Sequence, residues 1–347
     1  MNVLEAARAR VSMVFDRFDR VEVSVSGGKD STVLLYLAQQ EAVRRNRRVT
    51  VFFLDQEAEY ESTIAQVDWM MRLPGVDPYW VQAPMRLTNA TSHEDVWLHA
   101  WRDGEEWLRP LSPIGTHYIT GAPDRFYDFF PWHERQSSGT GFLVGIRARE
   151  SMHRWRATRT KAALPGVPWS TKAEGDENFR LYPIFDWWDG DVWRYILDHG
   201  LPYNAAYDRM WKLGFKPRQM RVSNLIHEQA FRSLATLQVI EPDTYERLLK
   251  RLGGVHAAAL YADDEQVFGA DRLPAAFASW RAYRDYLLDT TPAEHVKRFR
   301  KRFAKHETDE VTCRGHVRQI LTNDWENNVP VLREKASRLR ELWWDRL

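Results

Sequence analysis

Residues 26–31 read Ser26-Gly27-Gly28-Lys29-Asp30-Ser31, a set of side chains suited to gripping a polyanion. Two glycines allow a sharp turn that aims successive amide N–H groups at one point. A helix starting directly after such a turn adds the positive end of its dipole. The hydroxyls of Ser26 and Ser31 and the ammonium of Lys29 extend the cradle, and Asp30 places a carboxylate beside it. The spacing is not that of a Walker A loop, because no glycine lies five residues before a Gly-Lys-Ser/Thr, nor is it the dinucleotide GxGxxG. Farther along come Arg147, Arg149, Arg154, Arg156, Arg159 and Lys161, with Glu150 as the one acid among them. Guanidinium forks match phosphate and sulfate oxygens; the alternative for the same residues is a solvated basic loop.

The elements that must position these groups follow from periodicity. VEVSV, residues 21–25, reads as a strand, and TVLLYLAQQEAV carries Val33, Leu34, Leu37 and Ala38 at helical spacing. The order is therefore strand, glycine turn, helix. VTVFFLD, residues 49–55, is a continuous apolar run suited to a strand covered on both faces. A helix is expected over 61–72, a strand at PYWVQA, further strands at 141–146 and 179–185, and a helix over 189–199 that ends at Gly200. The alternation predicts an α/β fold with a doubly wound, mainly parallel sheet. Arg147 and Arg154 follow a strand that should end beside the loop, where open α/β sheets bind ligands. Residues 85–140, rich in tryptophan, histidine and proline, read as an insertion covering one end of the sheet. From about 205 the pattern is helical, which predicts a nucleotide-binding domain at 1–205 and a helical C-terminal domain at 206–347.

Composition narrows the classes. The 347 residues carry 49 Lys and Arg against 48 Asp and Glu, a formal charge of +1, which excludes coating of nucleic acid by bulk charge. The single cysteine, Cys313, excludes an internal disulfide and a cysteine-based zinc site. No uninterrupted apolar stretch marks a signal peptide or a membrane span, so a cytoplasmic protein is expected. Lys297, Arg298, Arg300, Lys301, Arg302 and Lys305 form a second basic run with Phe299 and Phe303 at helical spacing. It reads as a helix docked by its phenylalanines or as a contact for nucleic acid or an acidic partner. His93, Glu94, Asp95 and His99, and likewise His133 and Glu134, do not match a helical zinc motif. Trp97, Trp101 and Trp107 read as core; Trp132 could face a nucleobase.

SGGKDS resembles the PP-loop of the adenine-nucleotide α-hydrolase superfamily, the ATP pyrophosphatases and their relatives. That resemblance implies a HUP/Rossmann-like domain that cleaves ATP between the α- and β-phosphates, with the loop holding pyrophosphate and AMP passing to an acceptor. It also implies that Asp30 lies near the phosphates and helps to place Mg²⁺. Leu54-Asp55-Gln56-Glu57 stands where relatives carry an Asp-containing turn near the nucleotide, so Asp55 joins the implied contacts. Gly145-Ile146-Arg147-Ala148-Arg149-Glu150-Ser151, with Arg154, resembles the Gly-x-Arg…Glu-Ser-x-x-Arg motif of phosphoadenosine phosphosulfate (PAPS) reductases, which adds Gly145, Arg147 and Arg154 to the implied site. Tyr182-Pro183-Ile184-Phe185-Asp186-Trp187, Asp191-Val192-Trp193-Arg194-Tyr195-Ile196 and Leu201-Pro202-Tyr203-Asn204 are similar to that family's last core segment. Glu241-Pro242-Asp243-Thr244-Tyr245-Glu246, continuing to residue 261, resembles the helical extension of the IbrA-type branch, PAPS-reductase-like proteins often paired with a ParB-like partner and linked to gene regulation.

The chain departs from the reductases at their nucleophile. Their Glu-Cys-Gly-[Leu/Ile]-His is replaced by Val311-Thr312-Cys313-Arg314-Gly315-His316, where the Glu is missing and an arginine separates Cys from Gly. The loop is intact, as in ATP users such as the small subunit of sulfate adenylyltransferase. The expectation is therefore Mg-ATP cleavage without thiol-dependent reduction, with a sulfate-like oxyanion or nucleic acid among the possible acceptors. A nucleotide-responsive regulatory module acting through a partner, and a reductase using Cys313, are the alternatives.

Overall fold

The computed structural model describes residues 2–92, 96–150, 154–155, 163–222, 224–226, 234–253, 255, 273–291, 293–306, 309–327 and 331. His93, Glu94, Asp95, Ser151, Arg156, Arg159, Lys161 and most of 254–272 lie outside them. The chain forms two compact units, Met1–Arg86 with His99–Ser223, and Leu87–Leu98 with Asn224–Leu347.

The first unit opens with helix α1 (Val3–Arg17), started by a reciprocal capping box between Asn2 and Glu5. Strand β1 (Arg20–Ser24) leads through the glycine turn into helix α2 (Lys29–Arg44). Val33, Leu34, Leu37 and Ala38 are all buried, as their spacing predicts. Strand β2 (Val49–Leu54), helix α3 (Glu61–Met71) and strand β3 (Val76–Val81) follow. Strands β4 (Met85–Thr88) and β5 (Trp97–Ala100) pair apart from the main sheet. Then come β6 (Gly115–Thr116), helix α4 (Phe126–Glu134), β7 (Thr140–Val144), β8 (Ser170–Lys172), β9 (Phe179–Leu181), helix α5 (Asp189–Asp198) and helix α6 (Ala206–Lys212).

The main sheet has seven strands in the order β6-β3-β2-β1-β7-β9-β8, parallel except for the β8–β9 pair. β1 is central, with Val23 opposite Val51 of β2 and Ser24 opposite Val144 of β7. From β1 the chain winds outward through β2, β3 and β6, then returns to the other side of β1 as β7. The order reverses between β1 and β7, and crevices at such switch points are where ligands of open α/β sheets bind. Residues 26–31 and 145–147 are the segments that leave these two strands.

Two boundaries differ from the sequence reading. Residues 85–140 are not one covering insertion: 87–98 belong to the second unit, while β6 extends the sheet and α4 packs against it. The His133 ring of α4 stacks on Phe52 at 4.3 Å, and its Nε2 lies 2.8 Å from the carboxylate of Glu22 in β1. The first unit also runs past 205. Asn204 donates to Thr63 Oγ1 at 2.8 Å and to the Gly27 carbonyl at 3.3 Å, and Thr63 donates to the Val222 carbonyl at 3.4 Å. These bonds tie residues 204–222 to the loop.

In the second unit, helices α7 (Leu234–Ile240), α8 (Pro242–Arg251), α9 (Trp280–Thr290), α10 (Ala293–Phe303) and α11 (Glu310–Leu321) are described. Phe299 and Phe303 are buried with Leu287, Leu288, Val317, Ile320 and Trp325, so α10 docks by its phenylalanines. Its arginines turn to local acceptors: Arg298 to Glu326 at 2.9 Å, Arg300 to Asp289 at 2.8 Å and Arg302 to the Asp324 carbonyl at 2.8 Å. No described helix is long and apolar enough to cross a membrane.

This packing has two measurable consequences for stability. A Cβ at residue 145 would stand 3.1 Å from the carbonyl carbon of Asp30 and the amide nitrogen of Ser31, backbone atoms that cannot swing aside. Gly145→Ala should cost about 1–3 kcal/mol; Gly190→Ala, in the first turn of α5 with nothing within 4 Å, should be neutral or stabilising by up to about 1 kcal/mol in the same thermal melt. Burial, then the neighbouring His306, pulls the His316 imidazole down to about 3. The unfolded chain takes up this proton near pH 6.5 and the folded chain does not, so the contribution is present above 6.5 and lost on acidification. At pH 5 the loss relative to pH 7 should reach about 2 kcal/mol, and His316→Gln should flatten that part of the melting-temperature profile.

Candidate functional site

The glycine loop has the geometry its composition predicts. Gly27 adopts φ 66°, in the left-handed region, and a Cβ there would meet Thr63 Cγ2 at 2.8 Å. Both the dihedral and the close approach require glycine. Gly28 is the N-cap of α2 and, as glycine, brings no capping side chain of its own. The two serines brace the turn from within: Ser31 Oγ donates to the Gly28 carbonyl at 3.0 Å and accepts from the Ser26 amide at 3.3 Å. The hydroxyls of Ser26 and Ser31 lie 3.5 Å apart.

Charged groups converge over this turn. Lys29, 8% exposed, extends its ammonium to within 3.2 Å of both Asp30 Oδ2 and Asp189 Oδ1. Burial works against its charge, but Asp30, Tyr207 and Asp189 outweigh that and hold Lys29 above its ordinary pKa. Arg147, 5% exposed, donates from Nε to Asp30 Oδ1 at 2.5 Å and from Nη2 to Asp189 Oδ1 at 3.2 Å and Glu150 Oε1 at 3.4 Å. Gly145 makes this reach possible by letting the exit of β7 pass against the backbone of Asp30 and Ser31. Arg154 is exposed and ion-paired with Glu150. Arg149 lies with its guanidinium carbon 3.6 Å from the ring centre of Trp188, which is 57% exposed. The structure thus brings Lys29, Asp30, Gly145 and Arg147 together with the loop, and Arg154 joins them through Glu150.

Asp55 is placed differently. Its carboxylate is fully buried, accepts from Trp80 Nε1 at 2.8 Å, Gln82 Nε2 at 3.1 Å and the Glu57 amide at 3.0 Å, and pairs with Arg109. With both oxygens used inside the unit, the carboxylate expected to contact the nucleotide acts here as the hub of the turn after β2. Glu57, at φ 64°, accepts from the amides of Trp101 at 2.8 Å and Leu108 at 3.1 Å. Burial first, then the charge of Asp55, push Glu59 well above the usual carboxylate range. Trp101 is core, as expected; Trp132 packs on Phe129 at 5.3 Å between ring centres.

Sequence reasoning missed three residues here: Asp189, Tyr207 and Glu59. Tyr207 is buried and its hydroxyl accepts from the Lys29 amide at 3.3 Å, an amide that belongs to the proposed cradle. The helix over 189–199 is legible from its pattern, but nothing local says that its first carboxylate returns to the loop. The Mg²⁺ assignment to Asp30 rests on one carboxylate: among the described residues no group of three His, Cys, Asp or Glu is arranged to hold a metal. One or two carboxylates together with substrate phosphates is an ordinary Mg²⁺ environment, so this donor set fits an ion that arrives with the nucleotide.

The chain matches the phosphoadenosine phosphosulfate reductase domain over residues 20–259 and a domain of unknown function, DUF3440, over residues 214–331. It is similar to the protein YbdN of Escherichia coli K12, 30% identical over 88% of this chain and 79% of that protein. It is also similar to sulfate adenylyltransferase subunit 2 of Burkholderia lata, 25% identical over 52% of this chain and 58% of that protein. The phosphoadenosine 5'-phosphosulfate reductase of Xylella fastidiosa strain M23 is 25% identical over 57% of this chain and 69% of that enzyme. The domain match covers the loop, the switch point and the arginine segment together, and on that ground the chain belongs to the phosphoadenosine phosphosulfate reductase domain family.

Proposed function

We propose that this protein binds ATP at residues 26–31 and cleaves it between the α- and β-phosphates, passing AMP to an acceptor and releasing pyrophosphate. The observation that carries the reading is the convergence of Lys29, Asp30 and Arg147 on the N-terminus of α2 at the sheet's switch point. Similarity to proteins named sulfate adenylyltransferase subunit 2 supports ATP as the nucleotide.

In this reading the amides of the loop, the hydroxyls of Ser26 and Ser31, and Lys29 hold the β- and γ-phosphates. An acceptor oxygen attacks the α-phosphorus, and the α–β bridging oxygen leaves with pyrophosphate. Arg147, buried and already oriented by three carboxylates, meets the negative charge that builds on that leaving group. Mg²⁺, held by phosphate oxygens, water and Asp30, would supply charge neutralisation. Arg154, exposed at the rim, suits an oxyanion acceptor such as sulfate.

Cys313 supports a function other than reduction. It is fully buried in α11, Arg284 Nη1 donates to its Sγ at 3.4 Å, and burial raises its pKa. A nucleophilic thiol needs access and a lowered pKa.

With α-labelled ATP the label should appear as AMP or an adenylylated product. Arg147→Ala should slow turnover by about 100- to 1,000-fold, and Asp30→Ala, which removes one carboxylate partner from each of Lys29 and Arg147, should also be impaired. ADP as the only labelled product, or full activity in either variant, would contradict the proposal. Cys313→Ser should retain turnover within about twofold, since a buried thiol replaced by hydroxyl perturbs packing rather than chemistry; reduction of a sulfonucleotide by wild type that is lost in a folded Cys313→Ser protein would reinstate the reductase.

A further inference from the structure

Asp189 belongs to none of the loop or arginine motifs, yet it occupies the position where they meet. It is the first residue of α5, and a single oxygen, Oδ1, lies 3.2 Å from Lys29 Nζ and 3.2 Å from Arg147 Nη2. One oxygen bridging an ammonium and a guanidinium is the contact that a non-bridging phosphate oxygen makes in a polyphosphate site. Asp30 also pairs with both cations, but through different oxygens and from the helix that carries Lys29. Exposure separates the partners further. The Lys29 and Arg147 side chains are 9% and 6% exposed, while that of Asp189 is 37% exposed. Asp189 can therefore turn to water when another anion takes its place, whereas the two cations stay where they are. Gly190 follows it, and a Cβ at that position would have nothing within 4 Å, so the first turn of α5 has space on that side.

Charge balance makes the exchange consequential. Lys29, Arg147 and Arg154 are matched by Asp30, Glu150 and Asp189, so an incoming phosphate finds these cations already neutralised. An affinity measured under those conditions is the intrinsic affinity reduced by the fraction of time the subsite is vacated.

We infer that Asp189 is a built-in competitor for the outer phosphates: it holds Lys29 and Arg147 in position between turnovers, yields to the β- or γ-phosphate of the substrate, and returns as pyrophosphate leaves. It is a positioning residue that sets how tightly the site keeps its pyrophosphate product. The inference rests on the reading of residues 26–31 as a polyphosphate site.

The test is calorimetric titration of the full chain with sodium pyrophosphate, ATP and AMP at fixed ionic strength. Wild type is compared with Asp189→Asn, Asp189→Ser and Asp189→Glu, each checked for native circular dichroism. If Asp189 fills the subsite about nine-tenths of the time, Asp189→Asn should bind pyrophosphate and ATP about tenfold more tightly. AMP, which lacks the outer phosphates, should bind as before, and Asp189→Glu should stay near wild type. A general loosening or tightening of the fold would move AMP as well. Should Asp189→Asn fail to fold, Asp189→Ser carries the same expectation. Unchanged or weaker pyrophosphate binding by a folded Asn or Ser variant, with wild type still binding ATP, overturns this inference alone. Failure of wild type to bind either ATP or pyrophosphate overturns the polyphosphate reading with it.

Discussion

The backbone of Gly145 passes against the carbonyl of Asp30 and the amide of Ser31, and the rest of the site depends on that passage. It sets the exit of β7 against the first turn of α2. Two residues later, Arg147 can then reach Asp30 while remaining buried. A side chain at 145 would press on the backbone of Asp30 and Ser31 and shift the exit of β7 by a few tenths of an ångström, which lengthens the short Arg147–Asp30 contact. The passage lies where the sheet reverses its winding: β1 and β7 are parallel neighbours, and the segments leaving them follow adjacent strand ends.

Buried charge in this crevice is costly unless it is paired, and the pairing is close to complete. Lys29 and Arg147 each meet two or more carboxylates, and Tyr207 places a hydroxyl on the Lys29 amide. The arrangement keeps a cationic subsite folded without a ligand. A second buried set after β2, centred on Asp55, does different work: it fastens Trp80, Gln82, Arg109 and the chain after Trp101 to one strand end. Two acidic clusters at neighbouring strand ends have thus diverged in role according to whether their oxygens face the protein or the loop.

Local signals carried most of the fold. The strand, glycine turn and helix over 21–44 were legible because apolar spacing, two glycines and a helix start coincide within a few residues. The continuous run 49–55 announced a strand covered on both faces. The site's cations were legible as well, since Arg147 follows a recognisable strand. What was hidden depends on distant partners. Asp55 looks like a ligand in sequence, and only Arg109, 54 residues away, and the indole of Trp80 reveal it as a hub. Asp189 and Tyr207 reach the loop across more than 150 residues. The two-residue strand β6 is too short to leave a period in the sequence, and the assignment of 87–98 to the second unit follows from tertiary contacts alone. Phe299 and Phe303 stand at helical spacing in the sequence, and their burial shows that this face of α10 packs inside the second unit.

The central claim is that the loop grips the outer two phosphoryl groups of ATP, and a comparison of nucleotides isolates that grip. Titration of wild type with ATP and with AMP, each with Mg²⁺, measures what the added phosphates contribute. Two or more charge-assisted hydrogen bonds to them should make ATP bind at least about 100-fold more tightly than AMP. Equal affinities for the two nucleotides would contradict the account.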